Sequence, residues 1–285
     1  MNVKKITDKK YQFCVLMPVH QREEVLKIFD ESINSIFSNT IIPNQFVLII
    51  DGPISINFIK KINFYKLKYK LDVLWLKKKS FSLAGPLNEG LKKVKTNYVA
   101  RADADDICAP NRFEEQISFA KKGYELIGSD IEEVDSNKKK LAYKKMPENF
   151  YDIKKYIKMR NPFNHMTIFF KKDLALKYGG YPDLFSKEDY GLWAFFVAHK
   201  RKVINLNKPL VKATTDENFY NVRRGGWKYL KSEFNLAKHL LSLKINNIYE
   251  SIFFLLIRVI FILTFPKLKK ILYLKLLRSN NISKI

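Results

Sequence analysis

The chain has 285 residues, enough for one large α/β domain or a domain with an appendage, and its 47% hydrophobic content excludes wholesale disorder. A net charge of +24 calls for an anionic partner: nucleic acid, an acidic small molecule or an anionic membrane surface. Two cysteines, Cys14 and Cys108, exclude a disulfide framework, and no Cys/His cluster has zinc-ligand spacing. Cys14, inside an apolar run, reads as a small buried hydrophobe in a reducing compartment.

The basic start is followed by an apolar run at residues 13–19 that is short and carries Pro18, so no secretory signal is expected and the protein is assigned to the cytosol. Residues 12–18 read as a buried strand. Over residues 22–38, Val25, Leu26, Phe29, Ile33, Ile36 and Phe37 recur at three- and four-residue steps, an amphipathic helix. A second strand at 45–50 ends in the turn signal Asp51-Gly52-Pro53, and a third lies at 71–76. A Gly85-Pro86 turn then leads into a helix through Leu91, and a fourth strand spans 96–102. Beyond Asn111 the pattern predicts a helix at 112–122, a short strand at 125–128, a polar DSNKKK loop, and a strand at 166–170. A helix opens at Ser186-Lys187-Glu188-Asp189, capped by Ser186, and runs to about Lys200. From Arg223 the chain reads as helical, nearly all apolar over 251–265 except for Arg258.

Strands alternating with helices predict βαβ units and a mostly parallel sheet, in which ligands bind beyond the carboxyl ends of the strands. Three strand ends carry polar residues: Pro18 to Arg22, Asp51, and Asp103 with Asp105. They are therefore expected to converge on one crevice.

The stretch YVARADADDICAP, residues 98–110, puts Asp103, Asp105 and Asp106 directly after a buried strand. An EF-hand loop fails here, because Cys108 stands where glycine is needed and Pro110 lies inside the loop. Two readings remain: a polar turn with helix-capping aspartates, or a divalent-ion site holding a phosphorylated ligand. The EDYGLW stretch is equally double. Glu188 and Asp189 suit a helix first turn, and Asp189 also suits a general base aimed into the crevice, with Glu188 orienting it or the acceptor.

Taken in order, VLMPVHQRE, VLIIDGP, LNEGLK, YVARADADD, RNPFNHMTIFFKK, EDYGLW and RRGGWKY resemble family 2 glycosyltransferases of the bacterial polysaccharide-assembling kind, over about residues 12–230. The resemblance implies a GT-A fold, a Rossmann-like, mostly parallel α/β sheet flanked by helices. It also implies an inverting transfer from a metal-bound nucleoside-diphosphate sugar, UDP-sugar favoured, to a saccharide or lipid-linked acceptor in capsule or lipopolysaccharide assembly. By the same resemblance, Pro18 and Val19 line the nucleotide pocket with Glu24 nearby, and Asp51 bonds the base. Asn88, Arg101 and Asp103 then contact the donor, Asp103 and Asp105 hold Mn²⁺ or Mg²⁺, and Asp189 is the base with Glu188 beside it. Arg223, with Arg224 and Trp227, lies where pyrophosphate or acceptor contacts are expected. Before LNEG, this sequence has SFSLAGP where many members are glycine-rich.

Residues 1–220 are expected to form the catalytic domain and 221–285 a helical, basic extension. From Lys244 on, eight basic residues face Glu250 alone, a net +7, and a 15-residue apolar run is short of a bilayer span. The extension is expected either to lie on an anionic membrane as an amphipathic helix or to pack on the domain. Rival readings are a basic nucleic-acid-binding protein and a metal-dependent nucleotidyltransferase. The first lacks every recognition signature, so no nucleic acid is expected, and the second wants a glycine-rich phosphate loop where this chain has HQREE.

Overall fold

Strand β2 (Phe13–Val19) is buried at all seven positions, because helices cover both faces of the sheet it runs through. The computed structural model describes residues 4–77, 80, 82–135, 137–215 and 227–263. β2 pairs in parallel with β4 (Gln45–Asp51) on one side and β6 (Tyr98–Arg101) on the other, and β5 (Asp72–Leu76) adds beyond β4. β10 (Phe169–Lys171) is antiparallel to both β6 and β8 (Leu126–Val134), and β11 (Val203–Thr214) runs parallel to β8. With β7 (Ile107–Cys108) and β9 (Lys140–Lys144), the order is β5-β4-β2-β6-β10-β8-β11-β7, with β9 on β8. Lys4–Lys5 and Ile41–Ile42 form a separate parallel pair, β1 and β3.

The two-residue period of a strand sorts the core. Phe13, Val15, Met17 and Val19 join a cluster with α1 (Glu23–Phe37), α2 (Ile56–Tyr69) and α4 (Arg112–Lys121). Cys14 and Leu16 face the opposite cluster, built with α3 (Ala84–Lys93), α7 (Glu188–Ala198) and α8 (Trp227–Ser242). Burial raises the Cys14 thiol far above its ordinary range, as expected of an inert buried hydrophobe. α3 lies close against the sheet: a Cβ on Gly90 would stand 2.7 Å from Leu16 Cδ1.

Several expectations are corrected. Gly85-Pro86 is not a turn but the first turn of α3, where a proline's missing N–H breaks no intrahelical bond. The strand expected at 125–128 runs on to Val134, because the buried Asp130 inside it is satisfied by Tyr143 Oη at 2.7 Å and Met146 N at 2.8 Å. The strand expected at 166–170 is confined to Phe169–Lys171, with a 3₁₀ turn at His165–Thr167 before it. α7 is capped by Lys187, not Ser186, which takes a left-handed φ of 59° one residue earlier. β11 was not expected at all; it carries Asn205, Asn207, Lys208 and Pro209 and has register shifts around Pro209.

Leu236, Ala237 and Leu240 of α8 and Phe254 of α9 (Ile248–Leu263) enter the same cluster as α7. α9 turns Tyr249, Ile252, Phe253 and Leu256 outward, each more than half exposed. Among the described residues no helix is long and apolar enough to cross a membrane. Arg223 and Arg224, and the tail beyond residue 263, lie outside the described residues.

Candidate active site

The three polar strand ends meet, as the parallel topology requires. Arg22, just past β2, donates to Asp105 Oδ2 just past β6 at 3.0 Å. His20 Nδ1 lies 3.4 Å from the Asp51 carbonyl at the end of β4. The crevice opens beside Pro18 for a backbone reason. The β2–β6 ladder stops with Leu16 opposite Arg101 and Ala102 N donating to Leu16 O, and Pro18 is the next residue facing that side, with no N–H to extend it. Pro18 and Val19 are both buried. Glu24 is exposed in the first turn of α1. Asp51 is buried, and its Oδ1 accepts from Ser80 N at 2.8 Å, which ties the strand end to the segment before α3. Asn88 uses both amide ends on the Tyr181 main chain, at 2.8 Å each, so it clamps that loop.

The acidic loop is held from below. Ser32 of α1 donates to the Asp103 carbonyl at 3.0 Å, and the buried Arg112 donates to the Arg101 carbonyl at 2.6 Å and to Cys108 Sγ at 3.1 Å. Asp106 turns away and accepts from Thr214 N at 3.0 Å on β11; burial and then the charges of Asp105 and Asp103 push it well above the carboxylate range. That leaves Asp103 and Asp105 facing the crevice. Arg101, fully buried, donates to Asp103 Oδ1 at 2.6 Å. Burial raises Asp103, but the nearby charges, Arg101 foremost, outweigh it and hold the group below its ordinary value. Asp105 moves the other way, raised by burial and then by the charge of Asp103.

A second acidic pair stands in the first turn of α7. Asp189 Oδ2 accepts from Asn161 Nδ2 at 2.6 Å and Oδ1 from Tyr190 N at 2.7 Å. Burial still leaves Asp189 raised. Glu188 is buried and pushed up to about 7, by burial first and the Asp189 charge second. Arg101 acts on Glu188 as well as on Asp103, so the charge of one guanidinium reaches both acidic groups. His165 bonds Tyr181 Oη at 3.3 Å, and burial and the Arg101 charge lower it to about 3, so it is neutral at physiological pH. His165 and Asp189 both line a cavity of about 290 Å³.

The Glycosyl transferase family 2 pattern matches residues 14–176, more than half of the chain. The chain belongs to glycosyltransferase family 2. Within the family it is 33% identical over 265 residues to the amylovoran biosynthesis glycosyltransferase AmsE of Erwinia amylovora, covering 92% of this chain and 98% of that one. It is 32% identical over 237 residues to the UDP-Gal:alpha-D-GlcNAc-diphosphoundecaprenol beta-1,3-galactosyltransferase of Escherichia coli, covering 82% and 85%. Its fold matches S. aureus TarS 1–349 in complex with UDP-GlcNAc, with a TM-score of 0.66 over 84% of this chain and 69% of that one at 18% identity. The fold is thus of the GT-A kind. Membership of the family supports the glycosyltransferase reading over the two rivals.

Two side chains at the site escaped the sequence reading. Arg22 was visible as part of a polar strand end, but its pairing with Asp105, 83 residues away, is tertiary. Asn161 lies in the polar interruption RNPFNH, the only local signal it left.

Proposed function

We propose that this chain is an inverting transferase that moves a sugar from a UDP-sugar to a hydroxyl of a lipid-linked saccharide during bacterial surface-polysaccharide assembly. The observation that carries it is Asp189, held at both oxygens in a cavity it shares with His165, a residue near enough to Asp103 to act on its charge. The relatives supply the substrate class: one takes UDP-Gal and a diphosphoundecaprenol-linked sugar, another builds amylovoran.

In this reading Asp189 accepts the proton of the acceptor hydroxyl, a contribution of about 10²–10⁴-fold. The oxygen attacks the anomeric carbon as the bond to the diphosphate breaks on the opposite face, which inverts the configuration. Asn161 and the Tyr190 N–H fix the carboxylate, and neutral His165, backed by Tyr181, lines the cavity beside it. Arg101 and Arg22 sit where the leaving diphosphate gathers charge.

The donor set at Asp103 and Asp105 fits a divalent cation. Each carboxylate gives one oxygen to an arginine, and the repulsion between them is of the kind a cation relieves. No group of three or more His, Cys, Asp or Glu side chains forms a metal cluster among the described residues, but Mg²⁺ is typically held by one or two carboxylates plus substrate phosphates. When bound there, Mn²⁺ or Mg²⁺ would neutralise charge on the donor diphosphate.

The test is a thermal-shift panel of UDP, GDP, CDP and ADP with Mn²⁺, Mg²⁺ or EDTA. A ligand at about 100 times its Kd adds ~2.7 kcal/mol, so stabilisation by UDP above the other nucleotides is expected. No response to any nucleotide would sink the donor assignment.

A further inference from the structure

The cavity beside Asp189 is lined by Lys144, Lys145, Arg160, Lys187 and Arg258, with Asp189 as its one acidic lining residue. These cations arrive from four places: the end of β9, the segment after α5 (Phe150–Tyr156), the turn before α7, and α9. None of Pro18, Val19, Asp51, Asp103 or Asp105 is among its lining residues. The positive wall therefore lies beside the strand ends that face the donor and not among them, with His165 the cavity residue that reaches Asp103.

The cations are held together at an electrostatic cost. Glu233, fully buried, lies 2.8 Å from Lys187 Nζ and 3.7 Å from Arg258 Nε, so one carboxylate serves two cations. Arg258 also donates to the Met159 carbonyl at 2.6 Å, which fixes the guanidinium at the wall. Arg160 and Lys145 form no ion pair among the described residues, although both line the same cavity. Like charges gathered this closely, with a surplus over their counter-ions, form a site for an anion of more than one charge. Arginine and lysine together suit phosphate oxygens, the arginine by paired N–H donors and the lysine as a point charge.

We propose that Lys145, Arg160 and Arg258, supported by Lys144 and Lys187, bind the diphosphate of the acceptor. This rests on the reading above, in which Asp189 meets the acceptor hydroxyl. An anion bound beside Asp189, and away from the donor strand ends, belongs to the molecule that brings the hydroxyl. α9 completes the geometry: it carries Arg258 into the cavity and turns Phe253 and Leu256 outward, so a lipid attached to the diphosphate has an apolar surface to follow.

The probe is farnesyl diphosphate, titrated calorimetrically into the full-length protein in two conditions: in EDTA without nucleotide, and in Mn²⁺ with saturating UDP. Binding is expected in both conditions and is expected to weaken with salt, while farnesol alone does not bind. Lys145→Gln and Arg160→Gln should each weaken it about tenfold, the scale of one lost hydrogen bond to a charged group. Equal affinity in wild type and both variants, or displacement of the probe by UDP, overturns the proposal. Lys145 is exposed, so its substitution leaves the fold intact and keeps the test decisive even where Arg160→Gln unfolds. The titration without nucleotide judges this site whether or not UDP binds, so failure of the donor assignment is read separately.

Discussion

Asn161 Nδ2 donates to Asp189 Oδ2 at 2.6 Å, across 28 residues of sequence, and so fixes the carboxylate that opens α7. The bond favours the ionised form. Asn161→Ala should therefore raise the Asp189 pKa further and shift the acid limb of the kcat profile to higher pH. We expect kcat to fall about tenfold or more with donor KM unchanged, against near-complete loss in Asp189→Asn, the scale of a lost general base. Steady-state kinetics from pH 5 to 9 check both. An unmoved acid limb in Asn161→Ala would mean that another group is the base.

Asp105 and Asp189 should separate by their effect on the donor. Both Asp105→Asn and Asp189→Asn should nearly abolish transfer, but only Asp105→Asn should weaken metal-dependent UDP binding. EDTA should reproduce the Asp105→Asn binding defect in the wild type and add little to it in the variant. Nucleotide titrations with and without Mn²⁺ decide this, and equal UDP affinity in the wild type and Asp105→Asn would remove Asp105 from the metal site.

Glu188 gives stability a pH dependence. Its folded pKa is raised to about 7 from an ordinary value of 4.5, so its favourable contribution is present below about pH 4.5 and lost as pH rises through 7. Ionising it in place costs on the order of 3 kcal/mol at alkaline pH, and Asp189 beside it titrates as part of the same pair. Glu188→Gln should melt several degrees above the wild type at pH 8.5 and close to it at pH 4.5. Calorimetric melts at the two pH values measure this; an equal difference at both would assign the effect to packing.

How far the chain is legible without its fold varies by region. β2, α1, β4, β5 and α4 follow their pattern within a residue or so: β2 and β4 are buried almost throughout, α1 and α4 keep apolar residues at helical spacing, and β5 is a short apolar run at the sheet edge. The meeting of Arg22, Asp51, Asp103 and Asp105 was also legible, since parallel βαβ units bring strand ends to one edge whatever side chains they carry. β8 and β11 were not. Asp130 in β8 and Asn205 in β11 look like loop residues, yet both are buried with partners from elsewhere in the chain, Asn205 donating through Nδ2 to the carbonyls of Pro147 at 2.7 Å and Pro162 at 2.9 Å. Periodicity registers polarity and is blind to a partner that arrives from another part of the chain. The same blindness hid Asn161 behind Asp189.

Gly90 lies where α3 crosses β2 and β4, and a Cβ there would also stand 3.1 Å from Ile49 Cγ1. Alanine is the better helix former by about 1 kcal/mol, but Leu16 and Ile49 are fully buried and have no room to withdraw. Overpacking of about 1–3 kcal/mol should prevail, so Gly90→Ala should lower the melting temperature. Gly85→Ala, in the same helix with nothing within 4 Å of its would-be Cβ, is the control and should leave it unchanged or higher. A stabilised Gly90→Ala would show that the sheet yields at this contact.

The outward face of α9 makes the last prediction. Tyr249, Ile252, Phe253 and Leu256 are each more than half exposed, and the eight basic residues from Lys244 onward meet only one acid. An apolar row beside a surplus of lysine suits an anionic bilayer surface, to which each basic residue near it adds about 1 kcal/mol. The full-length protein should therefore co-sediment with vesicles containing anionic lipid at low salt and be released at high salt. Burial of one large side chain contributes about 1.5–3 kcal/mol, so the double substitution Phe253→Glu and Leu256→Glu should cut partitioning by well over tenfold. UDP binding should persist, because neither residue lines the cavity beside Asp189 or the crevice at the strand ends. Unchanged sedimentation in the double variant would mean that α9 does not touch lipid, and failure of the wild type to bind anionic vesicles at low salt would remove the membrane from the account altogether.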